Sequence, residues 1–352
     1  MLQSWVKLFS DFSELYMNEN GTHINKNFGI PKNEYFPSEI DSKIAKYGVK
    51  EIYKNLIIAL KNQFENNQKK NWNKFFNFFK ENEKTTNHYV KFFNYDWRED
   101  NTISSQNLYE EVKDFDHIII VAHSNGALVA CDVMKRLFKE NQENKIELFF
   151  SIGAPYKGSA KTIENFEKGD SLPDEDFFNK INVLNLYGAY TKKFIKNCIS
   201  CFELLPNKYY QGAFLQDKNG KNLSYDQSLS LLKNRQWNKK QDGTLKENFK
   251  ISNNFIENMF INGEHVANIV NSYMFVGNNF QTLSKVKIDS KKNDNCERTE
   301  YEVGDETVTL NSAIPPGWNK PECIFYSDYT HRELVNDPKI INKIVDLIFE
   351  QE

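Results

Sequence analysis

Three residues, Ser124, Asp305 and His331, have the types and the chain order needed for nucleophilic acyl transfer. Ser124 stands in Ala122-His123-Ser124-Asn125-Gly126, after the apolar run Ile118-Ile119-Ile120-Val121. A serine hydroxyl is a poor nucleophile at neutral pH. It becomes a good one when a tight turn lifts it clear of the fold, a base takes its proton and backbone amides face the developing oxyanion. A small-x-Ser-x-Gly pentapeptide between a buried strand and a helix predicts such a turn, with small residues at 122 and 126 where strand and helix crowd together. The same serine could equally be an ordinary helix cap.

A serine on such an elbow calls for an acid and then a histidine, each on a loop after a later strand. Of the six histidines, His23, His88, His117 and His123 precede Ser124, which leaves His265 and His331. His331 follows the last apolar stretch and is the expected base, whereas His265 lies before the strand expected at 270–277. Asp305 sits in a Gly-containing turn after a short strand and is the expected acid. Asp294 and Asp328 compete with it, and an acidic turn residue can also be a simple Asx turn.

The positioning elements can be read from periodicity. Ile52, Leu56, Ile57, Leu60 and Phe64 recur at helical spacing over 49–66, and "WNKFFNFFKEN" (72–82) is a second amphipathic piece expected to cover a sheet. Strands are expected at 88–97, 117–124 and 145–155, with a helix between the last two. Strand, helix, strand with short connections predicts a parallel sheet with right-handed crossovers, and ligand chemistry gathers at the carboxyl ends of its strands. From 157 to 265 the pattern turns polar and broken, which reads as an inserted cap between core parts 1–156 and 266–352. Strands are expected again at 270–277, 297–310 and 322–331, all returning to the same sheet. A final helix starts at Pro338, a residue suited to a first helical turn.

Composition excludes some partners. Lys plus Arg (45) nearly balance Asp plus Glu (48), giving a net charge of -3 and no basic field for nucleic acid. Five cysteines form no even framework, so a reduced compartment is expected. Cys198-Ile-Ser-Cys201 lacks the second pair of a zinc site, and no metal or cofactor is assigned. With 39% apolar residues the chain can fill a core. It has no leader-like start and no run near the ~20 apolar residues of a membrane span, so a cytoplasmic location is expected.

Several stretches, taken together, carry a resemblance: "NYDWRED" (94–100), "VAHSNGA" (121–127), "SIGAPYKGSAKT" (151–162), "ELLPNKYY" (203–210), "VGDETVTLNSA" (303–313) and "THRELVNDPKIINKIV" (330–345). In this order they resemble the lecithin:cholesterol acyltransferase family of α/β-hydrolases, which includes related phospholipases. The resemblance implies a mostly parallel central sheet flanked by helices, with an inserted cap. It makes Ser124 the nucleophile, Asp305 the acid, His331 the base and the Asn125 amide one oxyanion donor. It implies a lipid ester substrate, phospholipid above all, with transient peripheral membrane contact and an acyl-enzyme resolved by water or a second alcohol.

Tyr95, Trp97 and Tyr156 are possible substrate contacts under the same resemblance, although Asp96 and Arg98 around a packed Trp97 read better as a structural brace. Family members begin with a strand and a Gly-rich loop that gives a second oxyanion amide. "MLQSWVKLF" resembles the segment just after that loop, so the first strand and its loop are expected to be missing. Another backbone segment or a partner chain would then supply the amide, or turnover would fall about a hundred- to a thousandfold. The alternative is a catalytically impaired hydrolase-fold protein that binds lipid or a partner.

Overall fold

The run Ile118-Ile119-Ile120-Val121 needs apolar cover on both faces, and it obtains it as a strand of a parallel sheet between two helical layers. The computed structural model describes residues 49–68, 90–169, 192, 195–292 and 295–349. In chain order the elements are α1 (Val49–Gln68), α2 (Asn101–Val112), β1 (Ile118–His123), α3 (Asn125–Lys139), β2 (Ile146–Ile152), α4 (Ala160–Lys168) and α5 (Ile199–Glu203). They continue with β3 (Leu215–Gln216), α6 (Tyr225–Lys233), α7 (Asn248–Glu257), β4 (Ser272–Gly277), β5 (Phe280–Ile288), β6 (Cys296–Gly304), β7 (Ile324–Ser327) and α8 (Pro338–Phe349). A tight hairpin, Phe260–Ile261 with Glu264–His265, precedes β4.

The central sheet has the order β1-β2-β4-β7, and every neighbouring pair is parallel. Side chains alternate between its faces as strand geometry requires. Phe149, Met274 and Val276 point to a core shared with Ala127, Leu128, Met134 and Leu137 of α3. Phe150, Ile152 and Phe275 point the other way, to Leu56 and Leu60 of α1 and Ile344 of α8. Each such fully buried Leu, Ile or Phe contributes about 1.5–3 kcal/mol. The apolar side chains of α3 recur three and four residues apart, so one stripe of the helix lies on the sheet. Arg136 and Lys139 in its last turn suit the negative end of its dipole.

Three expectations need correction or a boundary. The strand expected at 88–97 is not formed over its described part: residues 90–96 join no ladder. Alternating aromatics need a neighbouring strand, and here Phe92 packs on Tyr53 of α1, Phe93 stacks on Tyr95, and the chain turns at Asp96, whose carbonyl accepts from Glu99. The segment expected as one long strand at 297–310 ends at Gly304, and it does not return to the central sheet. It pairs antiparallel with β5, a strand that the sequence did not announce, in a separate sheet ordered β3-β5-β6. A strand-forming stretch does not by itself say which sheet it joins. The piece at 72–82, the chain start, Asp294 and the side chains of Ile52 and Phe64 lie outside the described residues.

The second sheet belongs to a second hydrophobic core. Phe166, Phe202, Trp237 and Phe249 meet there with Leu283, Val286 and Ile288 of β5. Arg235 and Glu167 form a buried, bidentate pair beneath it, and Trp237 Nε1 donates to the same carboxylate. The described parts of the polar stretch between the central-sheet segments are thus packed around aromatic residues spaced too irregularly to show as an amphipathic pattern.

Two glycines near the strand ends differ in how much room they have. A Cβ on Gly277 would sit 2.5 Å from Asp305 Cβ and 3.0 Å from its Cα. By contrast, a Cβ on Gly126 would meet nothing described closer than Tyr95 Oη at 3.8 Å, so the crowding expected at 126 is absent. Gly277→Ala should therefore cost about 1–3 kcal/mol by overpacking, while Gly126→Ala, inside α3, should gain about 0.5–1 kcal/mol. Paired chemical denaturation curves check this, and equal midpoints for the two variants contradict it.

Candidate active site

The parallel registers place His123 opposite Ile152, Ile152 opposite Phe275, and Gly277 opposite Ser327, so the carboxyl ends of the four strands lie together. Ser124 follows β1 directly and has φ 55° and ψ -129°. A non-glycine residue held there costs about 1–3 kcal/mol, and such strain persists only where surrounding bonds over-determine it. Ser124 N donates to Ile152 O at 2.9 Å, and Ser124 O accepts from Ala127 N at 3.0 Å. The side chain makes no cap bond to the helix. Its Oγ instead lies 2.9 Å from His331 Nε2. The capping reading is thereby removed.

His331 comes from the loop after β7, and its Nδ1 lies 2.7 Å from Asp305 Oδ2. Asp305 is fully buried in the turn after β6. Its Oδ1 accepts from Thr307 N at 3.0 Å and Val308 N at 2.7 Å. Burial by itself pushes the carboxyl pKa up, but His331 and the two amides outweigh it and hold it below the ordinary value. An ionised carboxylate only accepts, so His331 carries its hydrogen on Nδ1 and turns the lone pair of Nε2 to the serine. The main chain ties the same loops together, with His331 N donating to Asp305 O at 2.8 Å. Gly153, at φ +56°, backs the pair: an added Cβ would meet Leu334 Cδ1 at 2.9 Å, Asp305 Oδ2 at 3.2 Å and His331 Nδ1 at 3.3 Å.

The competing residues lie elsewhere. His265 is buried against Tyr156 and Phe260, its Nδ1 accepts from Ala267 N, and burial pushes its pKa down to about 3. Asp328 is exposed.

Asn125 opens α3, where its amide has no intrahelical acceptor. Its side chain forms a reciprocal amide pair with buried Asn101, 2.8 Å each way, and its Nδ2 also donates to Tyr95 Oη at 3.3 Å. Asn101 N in turn donates to Glu203 Oε2 at 3.2 Å. Burial, followed by the neighbouring Asp100, raises the Glu203 pKa well above the ordinary range. Neither Asn101 nor Glu203 was singled out from sequence. Glu203 lies within the quoted "ELLPNKYY" stretch, but a lone glutamate gives no sign of burial.

Tyr95 thus stands beside the elbow, whereas Trp97 and Tyr156 each pack in a hydrophobic core. Trp97 packs on the second core, and its carbonyl accepts from the Ser200 hydroxyl. The buried Arg98 guanidinium grips Asp96 through Nε at 2.8 Å and Nη2 at 2.5 Å, the brace geometry. Tyr156 is a core residue that donates to Ser151 Oγ at 2.7 Å; its contacts run to Ser151, Met274 and His265. Cys198 and Cys201 are both buried in the second core.

A protein-family model described as lecithin:cholesterol acyltransferase matches residues 57–295, well over half of the chain. The chain belongs to the lecithin:cholesterol acyltransferase family. The stretch matched to the lecithin:cholesterol acyltransferase model contains Tyr95, Ser124 and Asn125, while Asp305 and His331 lie beyond its end. Among solved structures, a chain of "The crystal structure of Tle4-Tli4 complex" is similar, with a TM-score of 0.53 at 15% identity. The alignment covers 72% of this chain and 66% of that one, just under two thirds of its length. That likeness shows a common α/β-hydrolase fold. No curated protein matches the chain significantly. Among the described residues, no helix is long and apolar enough to cross a membrane.

The depressed pKa of Asp305 makes its contribution to stability pH-dependent. That contribution is fully present above the unfolded carboxylate value of about 3.9, and it is lost as pH falls through the lower folded value. The stability difference between wild type and Asp305→Asn should hold steady from neutrality to about pH 5 and close on further acidification. Denaturation at stepped pH checks this, and a difference unchanged in acid contradicts it.

Proposed function

We propose that this family member is a serine acyl hydrolase or acyltransferase acting on lipid esters, with phospholipid as the preferred class. The observation that carries the reading is the chain of contacts from Ser124 Oγ through His331 to Asp305, 2.9 and 2.7 Å long, on a strained elbow. Family membership supports the lipid ester class.

The chemistry follows from the geometry. Ser124 Oγ attacks the ester carbonyl carbon and its proton passes to His331 Nε2. Asp305 stabilises the resulting imidazolium without taking the proton itself. The Asn125 amide, at the positive end of α3, donates to the tetrahedral oxyanion. Collapse breaks the ester bond, and the leaving alcohol takes the proton from Nε2. Water or a second alcohol then adds to the acyl-serine with His331 as base, and the acid or the new ester departs. Residues 157–265, together with β5 and β6 on the same core, act as the cap in this reading, with substrate bound beneath.

Release of fatty acid from phosphatidylcholine vesicles tests the proposal. Ser124→Ala should abolish release with the melting transition retained, and Asp305→Asn should lower kcat about 10⁴-fold through the wrong tautomer. Undiminished release by purified Ser124→Ala overturns the assignment.

A further inference from the structure

His123 ends β1, one residue before the elbow, and its half-buried ring has both nitrogens engaged. Nε2 lies 2.8 Å from the main-chain carbonyl oxygen of His331, and Nδ1 lies 2.9 Å from the hydroxyl of Tyr53 on α1. A carbonyl oxygen only accepts, so the hydrogen of His123 is on Nε2. Nδ1 is then an acceptor, and the Tyr53 hydroxyl donates to it. The two imidazole rings of His123 and His331 lie 4.9 Å apart, tilted by 39°.

We infer that His123, oriented by Tyr53, is a positioning residue that fixes the loop of the base by donating to the His331 carbonyl. The inference rests on the acyl-transfer reading of the site. The His331 main chain is held on both sides: its N–H donates to Asp305 O and its C=O accepts from His123. With Nδ1 tied to Asp305, these bonds set the distance from Nε2 to Ser124 Oγ. Removing the His123 donor frees the carbonyl to turn and carries Nε2 with it, and a shift of about 1 Å at a reacting group can cost about a hundredfold in rate.

The neutral state of His123 serves the same end. Burial, then the neighbouring His331, pushes its pKa down to about 3. It therefore adds no second positive charge beside His331 when that ring takes the serine proton. A bulky apolar residue would fill the same space and match the end of a buried strand, yet it could offer neither the donor nor the acceptor.

The test uses the full chain with a fluorophosphonate and p-nitrophenyl butyrate as probes. His123→Phe keeps a ring and removes both bonds, while His123→Gln keeps an N–H able to reach the carbonyl. His123→Phe should lower fluorophosphonate inactivation and kcat about a hundredfold, with KM within about twofold and the melting transition retained. His123→Gln should return both rates to within about tenfold of wild type, and Tyr53→Phe should lower them about threefold with KM unchanged. Wild-type rates in folded His123→Phe overturn the inference, as does a His123→Gln no better than His123→Phe. Should His123→Phe not fold, a fall in kcat at constant KM in Tyr53→Phe, with His123→Gln active, supports it; an unchanged Tyr53→Phe overturns it. Failure of wild type to be labelled at Ser124 overturns the acyl-transfer reading and this inference with it, whereas labelled wild type with unaltered variants overturns the inference alone.

Discussion

A buried carboxylate must be paired or it takes up a proton, and much of the site follows from how Asp305 meets that demand. Its two oxygens are satisfied by different means: Oδ1 by the amides of its own turn, and Oδ2 by His331. The turn can lie this deep only because Gly277 and Gly153 leave room where any side chain would strike Asp305. The same bond assigns the histidine tautomer and aims Nε2 at Ser124. Strand register supplies the rest, since the ends of β1, β4 and β7 come together without any loop reaching far.

Three separate devices converge on Ser124. The backbone is strained at φ 55°, the helix that starts at Asn125 offers an amide with no acceptor within that helix, and His331 holds the hydroxyl. Around them lies a hydrogen-bonded polar network: the Asn125 and Asn101 amides, the Tyr95 hydroxyl and the buried Glu203. Amides and hydroxyls suit the neighbourhood of an oxyanion, because a fixed carboxylate there would repel the charge that develops.

Much of this was legible in the sequence, for physical reasons that differ by element. The continuous apolar run of β1 and the three-four spacing of α3 are strong periodic signals, and chain order left few histidines to choose from. The edge of what could be read is also physical. Strand pairing is non-local, so nothing in residues 296–304 showed that β6 joins β5 in a second sheet and not the central one. The stretch 88–97 read as a strand, but a strand needs a partner ladder. Burial of Glu203 and Asn101, and the two bonds of His123, depend on packing between segments far apart in the chain. Tyr156 looked like a site residue from its motif and is a core residue whose hydroxyl bonds Ser151.

The central claim is that Ser124 carries the acyl group. Acid-quenching a steady-state reaction with phosphatidylcholine, followed by peptide mass mapping, addresses it most directly. The account predicts a fatty-acyl mass increment on the peptide bearing Ser124, and none elsewhere. Continued fatty-acid release by the purified chain, with the increment on another residue and none on that peptide, would contradict it.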